Sequence, residues 1–334
     1  MVSLVTGANG LLGRALVDVL LAQGEQVRAL DLAPHANPQV ESVVLDIRDA
    51  DGVRRACAGV EVVYHTAALV YVGLGKPRRV YDVNVTGTEN IIHACREQGV
   101  PRLVYTSSID VVFEGKPIRN GDESLPYAST HLDYYSETKT LAEQAVLRAN
   151  DPGGLLTCAL RAGGIYGPGD QHRFRPLIDQ VSAGRPVRIG DGSSRFSHVY
   201  AENAAYAHVL AARALVPGSA VAGQAYFITD HAARNFSDFT VPFIEALGYS
   251  VSKRSLPGWL ASAIASALAL RYRLWSSEKH GDVSLTRYSV AALCNDFYFN
   301  SEKAQRDFGY LPIVDEPTAY ERTLNWLKSE YGVV

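Results

Sequence analysis

Ser3-Leu4-Val5-Thr6-Gly7-Ala8-Asn9-Gly10-Leu11-Leu12-Gly13 is the stretch whose reading decides the fold. A short apolar run ends in glycines at positions 7, 10 and 13, after which Ala15, Leu16, Val19, Leu20 and Leu21 recur at helical spacing. That pattern reads as strand, tight turn and helix. Glycines let the backbone approach a pyrophosphate, and the new helix aims its unpaired N–H groups and positive dipole end at that anion. The next apolar run, Gln26 to Leu30, ends at Asp31, where a carboxylate can accept hydrogen bonds from both hydroxyls of an adenosine ribose. No Arg or Lys immediately follows Asp31, and its charge repels a 2′-phosphate, so a dinucleotide is expected and NAD is favoured over NADP. Taken alone, Asp31 also fits a simple turn.

The alternation continues outward from this unit. Val43 to Ile47 reads as a strand, Asp49 to Ala58 as a helix, and Val60 to Tyr64 as a strand leading into His65-Thr66-Ala67-Ala68. A helix follows from about Val80 to Gln98, then a strand from Arg102 to Ser108. Strands alternating with helices imply an α/β fold with a parallel, doubly wound sheet. Ligands bind at the carboxyl edge of such sheets. Asp46 and Ile47 are therefore expected to border the adenine, Ala67 and Ala68 to leave room for the cofactor backbone, and Ser108 to bring a hydroxyl to the same edge. Asn84 is open between two uses: an amide bonding backbone or water near the site, or a surface helix residue.

Tyr134-Tyr135-Ser136-Glu137-Thr138-Lys139 adds a phenol and an ammonium four residues apart. Leu141, Ala142, Ala145, Val146 and Leu147 continue an amphipathic pattern, so a helix is expected, and positions i and i+4 share its face. A free phenol has a pKa of roughly 10. An ammonium about 4 Å away is worth up to ~4 kcal/mol at an effective dielectric of 20. Lys139 is thus expected to lower the Tyr135 pKa and suit it to exchange a proton with an alcohol or carbonyl. The same spacing also arises as a solvated surface pair.

With 334 residues the chain can bury a large core in one large domain or two joined ones. Its net charge of −3 gives no electrostatic footprint for nucleic acid, so small molecules are the expected partners. The four cysteines are widely spaced, without a C-x-x-C pair or a His cluster, and neither zinc nor a disulfide framework is expected. A cytoplasmic location fits best, since no basic segment precedes an apolar one at the N-terminus.

In order and spacing, Gly7-x-x-Gly10-x-x-Gly13, Asp31, Asp46-Ile47, His65-Thr66-Ala67-Ala68, Asp82-Val83-Asn84-Val85-x-Gly87-Thr88, Tyr105-Thr106-Ser107-Ser108 and Tyr135-x-x-x-Lys139 resemble the extended short-chain dehydrogenases/reductases. The resemblance covers nearly the whole chain and implies a Rossmann fold. It also implies Ser108, Tyr135 and Lys139 as catalytic residues, with Ser107 a structural or substrate-side neighbour. For NAD it implies Gly7, Asn9, Gly10, Leu11, Leu12, Gly13, Asp31, Asp46, Ile47, Ala67, Ala68, Asn84, Thr106, Tyr135, Lys139 and Ile165, with no metal.

Within that superfamily, Val104 to Val112, Asn120-Gly121-Asp122-Glu123, Lys139 to Glu143, Leu160 to Asp170, His198 to Ala205 and Gln224 to Asp230 resemble the 3β-hydroxysteroid dehydrogenase branch, which includes sterol-4-carboxylate 3-dehydrogenases. Ile165 to Gly169 and Gly192 to His198 are shared with nucleotide-sugar epimerases and dehydratases, which stand as the alternative. The implied reaction is oxidation of a 3β-hydroxyl on a sterol-like substrate, or the reverse reduction, with loss of carbon dioxide where a neighbouring carboxylate is present. Lys76, Arg78, Arg79, Arg173 and Arg175 are candidates to hold that carboxylate, and Arg195 could pair with a diphosphate.

Residues 1–165 and 197–230 are expected to form the NAD-binding domain, and 166–196 and 231–334 a smaller substrate-side lobe. In the lobe, Leu256 to Leu270 carries no charge, and Trp259, Leu260, Ile264 and Leu268 form a helical stripe closed by Arg271-Tyr272-Arg273-Leu274-Trp275. Fifteen residues span about 22 Å as a helix. That is short of the ~30 Å hydrocarbon core. Two readings of 256–275 remain: a buried cap helix, or a helix in peripheral contact with a membrane. A homodimer is the expected assembly.

Overall fold

The computed structural model describes residues 1–184, 188–275 and 285–331, and the Trp275 side chain and the parts of the expected lobe at 185–187, 276–284 and 332–334 lie outside them. The opening stretch folds as β1 (Val2–Thr6), a glycine turn and α1 (Leu11–Ala22). β2 (Gln26–Asp31), β3 (Glu41–Val44), α2 (Ala50–Ala56), β4 (Val62–His65), α3 (Arg78–Tyr81), α4 (Gly87–Glu97) and β5 (Arg102–Ser108) continue the alternation. β6 (Ile118–Gly121), α5 (Tyr134–Arg148), β7 (Leu156–Ala162), β8 (Gly164–Tyr166), α6 (Gln171–Ser182), β9 (Arg188–Ile189), β10 (His198–Tyr200), α7 (Ala201–Ala214) and β11 (Ala225–Ile228) follow. The chain ends in α8 (Phe236–Ala246), β12 (Ser255–Leu256), α9 (Gly258–Trp275), α10 (Arg287–Cys294), β13 (Phe297–Phe299), α11 (Glu302–Phe308) and α12 (Glu316–Tyr331).

Seven strands form one parallel sheet in the order β3-β2-β1-β4-β5-β7-β11, the doubly wound α/β class expected. Its strands β1, β4, β5, β7 and β11 are almost wholly buried because both faces are covered. On one face Leu12, Leu16 and Leu20 of α1 pack with Ala204, Ala207 and Ala211 of α7. On the other, Val53 of α2, Ile91 of α4 and Ala142 and Val146 of α5 meet the strands. Strand order reverses between β1 and β4, and ligands of such sheets bind at that switch point.

Two elements differ from the sequence reading. The strand expected at Val43 to Ile47 is β3, Glu41–Val44, so Asp46 and Ile47 lie in the turn beyond it. Asp46 builds that turn, its carboxylate taking the Arg48 N–H at 2.9 Å and its carbonyl the Asp49 N–H at 2.9 Å. The helix expected from Val80 to Gln98 is continuous but carries a π turn at Asp82–Thr86. That turn contains Asn84, and such turns are frequent at functional sites.

Beyond the two faces of the sheet, further apolar clusters form. Tyr166, Phe174, Phe239, Phe243 and Leu327 form one. Ile109, Val112, Phe113, Phe227, Phe297 and Phe299 form another around the β6–β13 pair. The C-terminal segment also returns to the sheet, where Ala304 of α11 and Tyr310 join the core under α1 and α7. α9 is seated through Ala261 and Ala265 against Val290 of α10, while Trp259 is 74% and Leu274 60% exposed. Small alanines, not the large residues of the stripe, are what this helix buries. Among the described residues no helix is long and apolar enough to cross a membrane.

Candidate active site

The glycine turn is fixed by close backbone approach. Gly7 has φ +69°, and a Cβ there would lie 2.7 Å from Ala67 Cα at the end of β4. A Cβ on Gly13 would lie 2.0 Å from the Gly7 carbonyl oxygen. Neither contact can be relieved by a side-chain rotation, so both positions require glycine. Gly10 begins α1 without a capping side chain, and no acid occupies the first turn, which leaves the helix N-terminus suited to an anion. A cleft of about 340 Å³ opens there, lined by Gly7, Asn9, Gly10, Asp31, Asp46, Ile47, Ala67 and Ala68 together with Thr66, Leu69, Arg79 and Val83.

The Asp31 carboxylate takes one backbone N–H on each oxygen, Asn9 at 2.8 Å and Leu32 at 2.6 Å. A carboxylate has about four acceptor positions. Lone pairs therefore remain for ribose hydroxyls, and the residues fit a dinucleotide. Asp46 is clamped by Arg48 at 2.6 Å, and these bonds hold its carboxyl below the usual range. Leu11, Leu12 and Gly13 form the first turn of α1 behind the cleft wall.

Asn84, Thr106 and Ile165 sit deeper. The Asn84 amide accepts from Leu69 N–H at 2.7 Å and donates to the Leu69 carbonyl at 3.1 Å and Thr138 Oγ1 at 3.0 Å. It thereby ties the cleft-lining segment to α5. The Thr106 hydroxyl bonds His208 Nε2 at 2.7 Å, while the Thr106 carbonyl receives the Lys139 ammonium. Ile165 pairs with Val199 in the β8–β10 ladder and accepts from Arg173. Ser107 Oγ is buried without a partner among the described residues.

Asp133 caps α5 by accepting the Ser136 N–H at 2.7 Å, which starts the helix where Tyr135 and Lys139 share its inner face. Burial, then the nearby Asp110, pushes Asp133 up to about 6. Lys139 lies 4.3 Å over the Tyr105 ring, and burial lowers its pKa to about 7 against the opposing pull of Glu143 and Asp110. Tyr135 corrects an expectation. Its phenol is raised, not lowered, first by burial and then by the charges of Asp110 and Asp133. The Lys139 charge is spent on the Thr106 carbonyl and the Tyr105 ring rather than on the phenol.

Further positioning groups lie outside the site residues expected from the sequence. Arg161 of β7 forms a buried ion pair with Glu143 of α5 at 2.7 Å, and Tyr127 donates to the same Glu143 oxygen at 2.8 Å. An Arg within an otherwise apolar strand was the available signal, because a buried cation needs a partner. Ser108 donates to Asp110 at 2.6 Å, and Tyr288 of α10 donates to the other Asp110 oxygen at 2.6 Å. No sequence signal joins Tyr288 to this site.

The cationic candidates are mostly engaged. Lys76 pairs with Glu137 at 2.5 Å, and Arg78 lies 3.6 Å from Asp82. Arg173 is largely buried, 3.5 Å from Asp170, with a bond to His198 at 2.9 Å, so it is structural and not placed to receive a substrate carboxylate. Arg175 is exposed on α6. Arg195 donates to Tyr298 at 2.6 Å, lies over its ring and stands 3.8 Å from Asp296.

Comparison with known proteins agrees with this geometry. Residues 4–258 match the model of the 3-beta hydroxysteroid dehydrogenase/isomerase family. The chain is 39% identical over 322 residues to the 3-beta-hydroxysteroid dehydrogenase of Mycolicibacterium neoaurum, covering 93% of this chain and 87% of that protein. It is 40% identical over 336 residues to the 3 beta-hydroxysteroid dehydrogenase/Delta 5-->4-isomerase of Mycobacterium tuberculosis, covering 98% and 90%. Identity to the sterol-4-alpha-carboxylate 3-dehydrogenase, decarboxylating, of Mus musculus is 38% over 323 residues, covering 96% and 89%. Among solved structures, gox2253 aligns with TM-score 0.78 at 24% identity, covering 100% of this chain and 99% of that one. MoeE5 in complex with UDP-glucose and NAD aligns with TM-score 0.74 at 22% identity, covering 99% of each chain, a likeness of fold. By family match and by identity over nearly its whole length, the chain belongs to the 3-beta hydroxysteroid dehydrogenase/isomerase family.

Proposed function

We propose that this protein is an NAD-dependent oxidoreductase that converts the 3β-hydroxyl of a steroid or sterol to the ketone, or runs the reverse reduction. The observation that carries it is the 38 to 40% identity, over more than nine-tenths of the chain, to relatives named for that oxidation. NAD, when bound, supplies the hydride acceptor. Gly7, Gly10 and the first turn of α1 would hold its pyrophosphate, Asp31 its adenosine ribose, and Asp46 and Ile47 its adenine.

Ser108 and Tyr135 hold the substrate oxygen between them, and Tyr135 takes the alcohol proton. Lys139, beside them on α5, holds the nicotinamide ribose. Where the substrate bears a carboxylate on the neighbouring carbon, oxidation yields a β-keto acid. The ketone then accepts the electrons released as carbon dioxide leaves. Arg79, on the cleft wall, and Arg175, exposed on α6, are the candidate cations for that carboxylate.

Residues 1–165 and 197–230 act as the cofactor domain and 166–196 and 231–334 as the substrate lobe, in a homodimer. α9 supports a peripheral membrane contact: Trp259, Leu270 and Leu274 are exposed on it beside Arg271 and Arg273, as an interfacial helix requires. The test is incubation with NAD and, separately, a 3β-hydroxysterol, its 4-carboxylate, and UDP- and dTDP-sugars. Steady NADH formation with the sterols is expected, with loss of carbon dioxide from the carboxylate. Conversion of a nucleotide sugar without net NADH, and silence with every sterol, would move the protein to the epimerase or dehydratase class.

A further inference from the structure

We infer that Asp110, acting through Ser108 and clamped from the substrate side by Tyr288, is a second acceptor for the proton of the substrate alcohol. This rests on the oxidation proposed above. The Ser108 hydrogen is committed to Asp110 Oδ2 at 2.6 Å, and the Asp110 N–H approaches Ser108 Oγ at 3.3 Å. What Ser108 offers an incoming hydroxyl is therefore a lone pair, not a proton. The other Asp110 oxygen is fixed by the Tyr288 hydroxyl at 2.6 Å, across 178 residues of sequence. Ser108 and Asp110 are both buried, so water does not compete for these bonds.

The step balances. An alcohol O–H donating to Ser108 Oγ gives its proton to that oxygen as the Ser108 proton moves to Asp110 Oδ2, and the C–H electron pair leaves as hydride to the oxidised dinucleotide that the reaction consumes. Asp110 is a positioning residue, since it reaches the substrate only through Ser108.

The groups facing Asp110 are Ser108 from β5, Tyr288 from α10, Asp133 from the turn before α5, and Tyr135 and Lys139 from α5. Burial raises Asp110 from the ordinary carboxylate value, against the Ser108 and Tyr288 bonds. The Tyr135 phenol is raised as well, from a much higher starting point. As the pH rises the Asp110 carboxyl therefore loses its proton before the Tyr135 phenol does.

The test is the pH profile of oxidation by Asp110→Asn, which keeps the shape but cannot store a proton. A loss of about 10²-fold in kcat, the low end of the general-base range, is expected on the acid side of the profile. The deficit should close as the pH is raised, with NAD affinity unchanged by calorimetry. Tyr288→Phe, which removes a donor to the carboxylate, should shift the acid limb of the profile to higher pH. Independently of turnover, acidification of the whole protein should produce an infrared band of a buried protonated carboxyl that Asp110→Asn lacks. A variant profile parallel to that of the unmodified protein, or an infrared spectrum unchanged by the substitution, would overturn the relay. Failure of the oxidation itself is recognised separately, as absence of NADH from the unmodified protein with every sterol.

Discussion

The cofactor cleft and the substrate lobe are held by different kinds of contact. At the cleft, a single added carbon on Gly7 or Gly13 meets backbone at 2.7 or 2.0 Å. In the lobe, the same addition at Gly258 or Gly190 meets the Cys294 sulfur first, at 3.0 and 3.2 Å, with no backbone atom nearer than 3.8 Å. The lobe is instead joined to the site by side chains reaching across the sequence, such as Tyr288 to Asp110. Backbone constraints leave a residue signature at fixed spacing. Long-range side-chain contacts do not, which is why one region was readable and the other was not.

The largest test of that contrast is Tyr135→Phe. Removing a group that transfers a proton to or from substrate costs about 10² to 10⁴ in rate. NAD affinity should be largely kept, whereas Lys139→Met should lower both turnover and affinity. Stopped-flow turnover and calorimetry check the pair. The contrast breaks if Tyr288→Phe, in the lobe, loses as much rate as Tyr135→Phe.

Next comes Glu143→Gln, which sharpens the comparison by asking whether the cofactor half also leans on a long-range pair. It leaves the Arg161 guanidinium buried without its carboxylate, between the Tyr127 and Phe227 rings. Breaking a buried pair from one side costs about 3–5 kcal/mol. Chemical denaturation should show that loss, and a change under 1 kcal/mol would mean that α5 is held on the sheet by its apolar face alone.

Much of the fold was legible because Gly7 and Gly13 stand where close backbone approach demands glycine. The edges were less so. Asp46 was taken for the end of a strand although its side chain makes the following turn, and an aspartate carboxylate bonding ahead of itself competes with strand pairing. Tyr135 and Lys139 were found by spacing, but the direction of the phenol shift was not. It depends on burial and on Asp110 and Asp133, whose distance from the ring no periodicity encodes. Arg173 was read as an open cation because the sequence does not reveal that Asp170 and His198 enclose it.

A smaller effect is expected from Asp31→Ala, which isolates one side-chain contribution within the backbone-built cleft. A hydrogen bond to a charged group contributes about 1.5–3 kcal/mol. NAD affinity should therefore fall by roughly one to two decades. NADP should lose less, because the same carboxylate repels its extra phosphate. Equal or tighter NADP binding by the unmodified protein would remove Asp31 as the selective residue and break the link between the cleft and its sequence signature.

The smallest change in stability is expected on α9, where the lobe turns its large apolar side chains outward. Trp259, Leu270 and Leu274 are 74%, 57% and 60% exposed, so their truncation removes little buried area. Surface substitutions of this kind usually fall within about 0.5 kcal/mol. The packing that holds α9 lies instead at Ala261 and Ala265, both fully buried. If these side chains serve a lipid boundary, Trp259→Ala combined with Leu274→Ala should unfold at the same denaturant concentration as the unmodified protein. The double variant should nevertheless sediment far less with anionic phospholipid vesicles, and its kcat on a detergent-solubilised sterol should be unchanged. Adding salt should weaken vesicle binding of the unmodified protein through Arg271 and Arg273, because exposed charges are screened within about 10 Å at 0.1 M ionic strength. Equal sedimentation of both proteins would mean that the outward stripe has no lipid role, and a marked loss of stability would mean that it packs against protein.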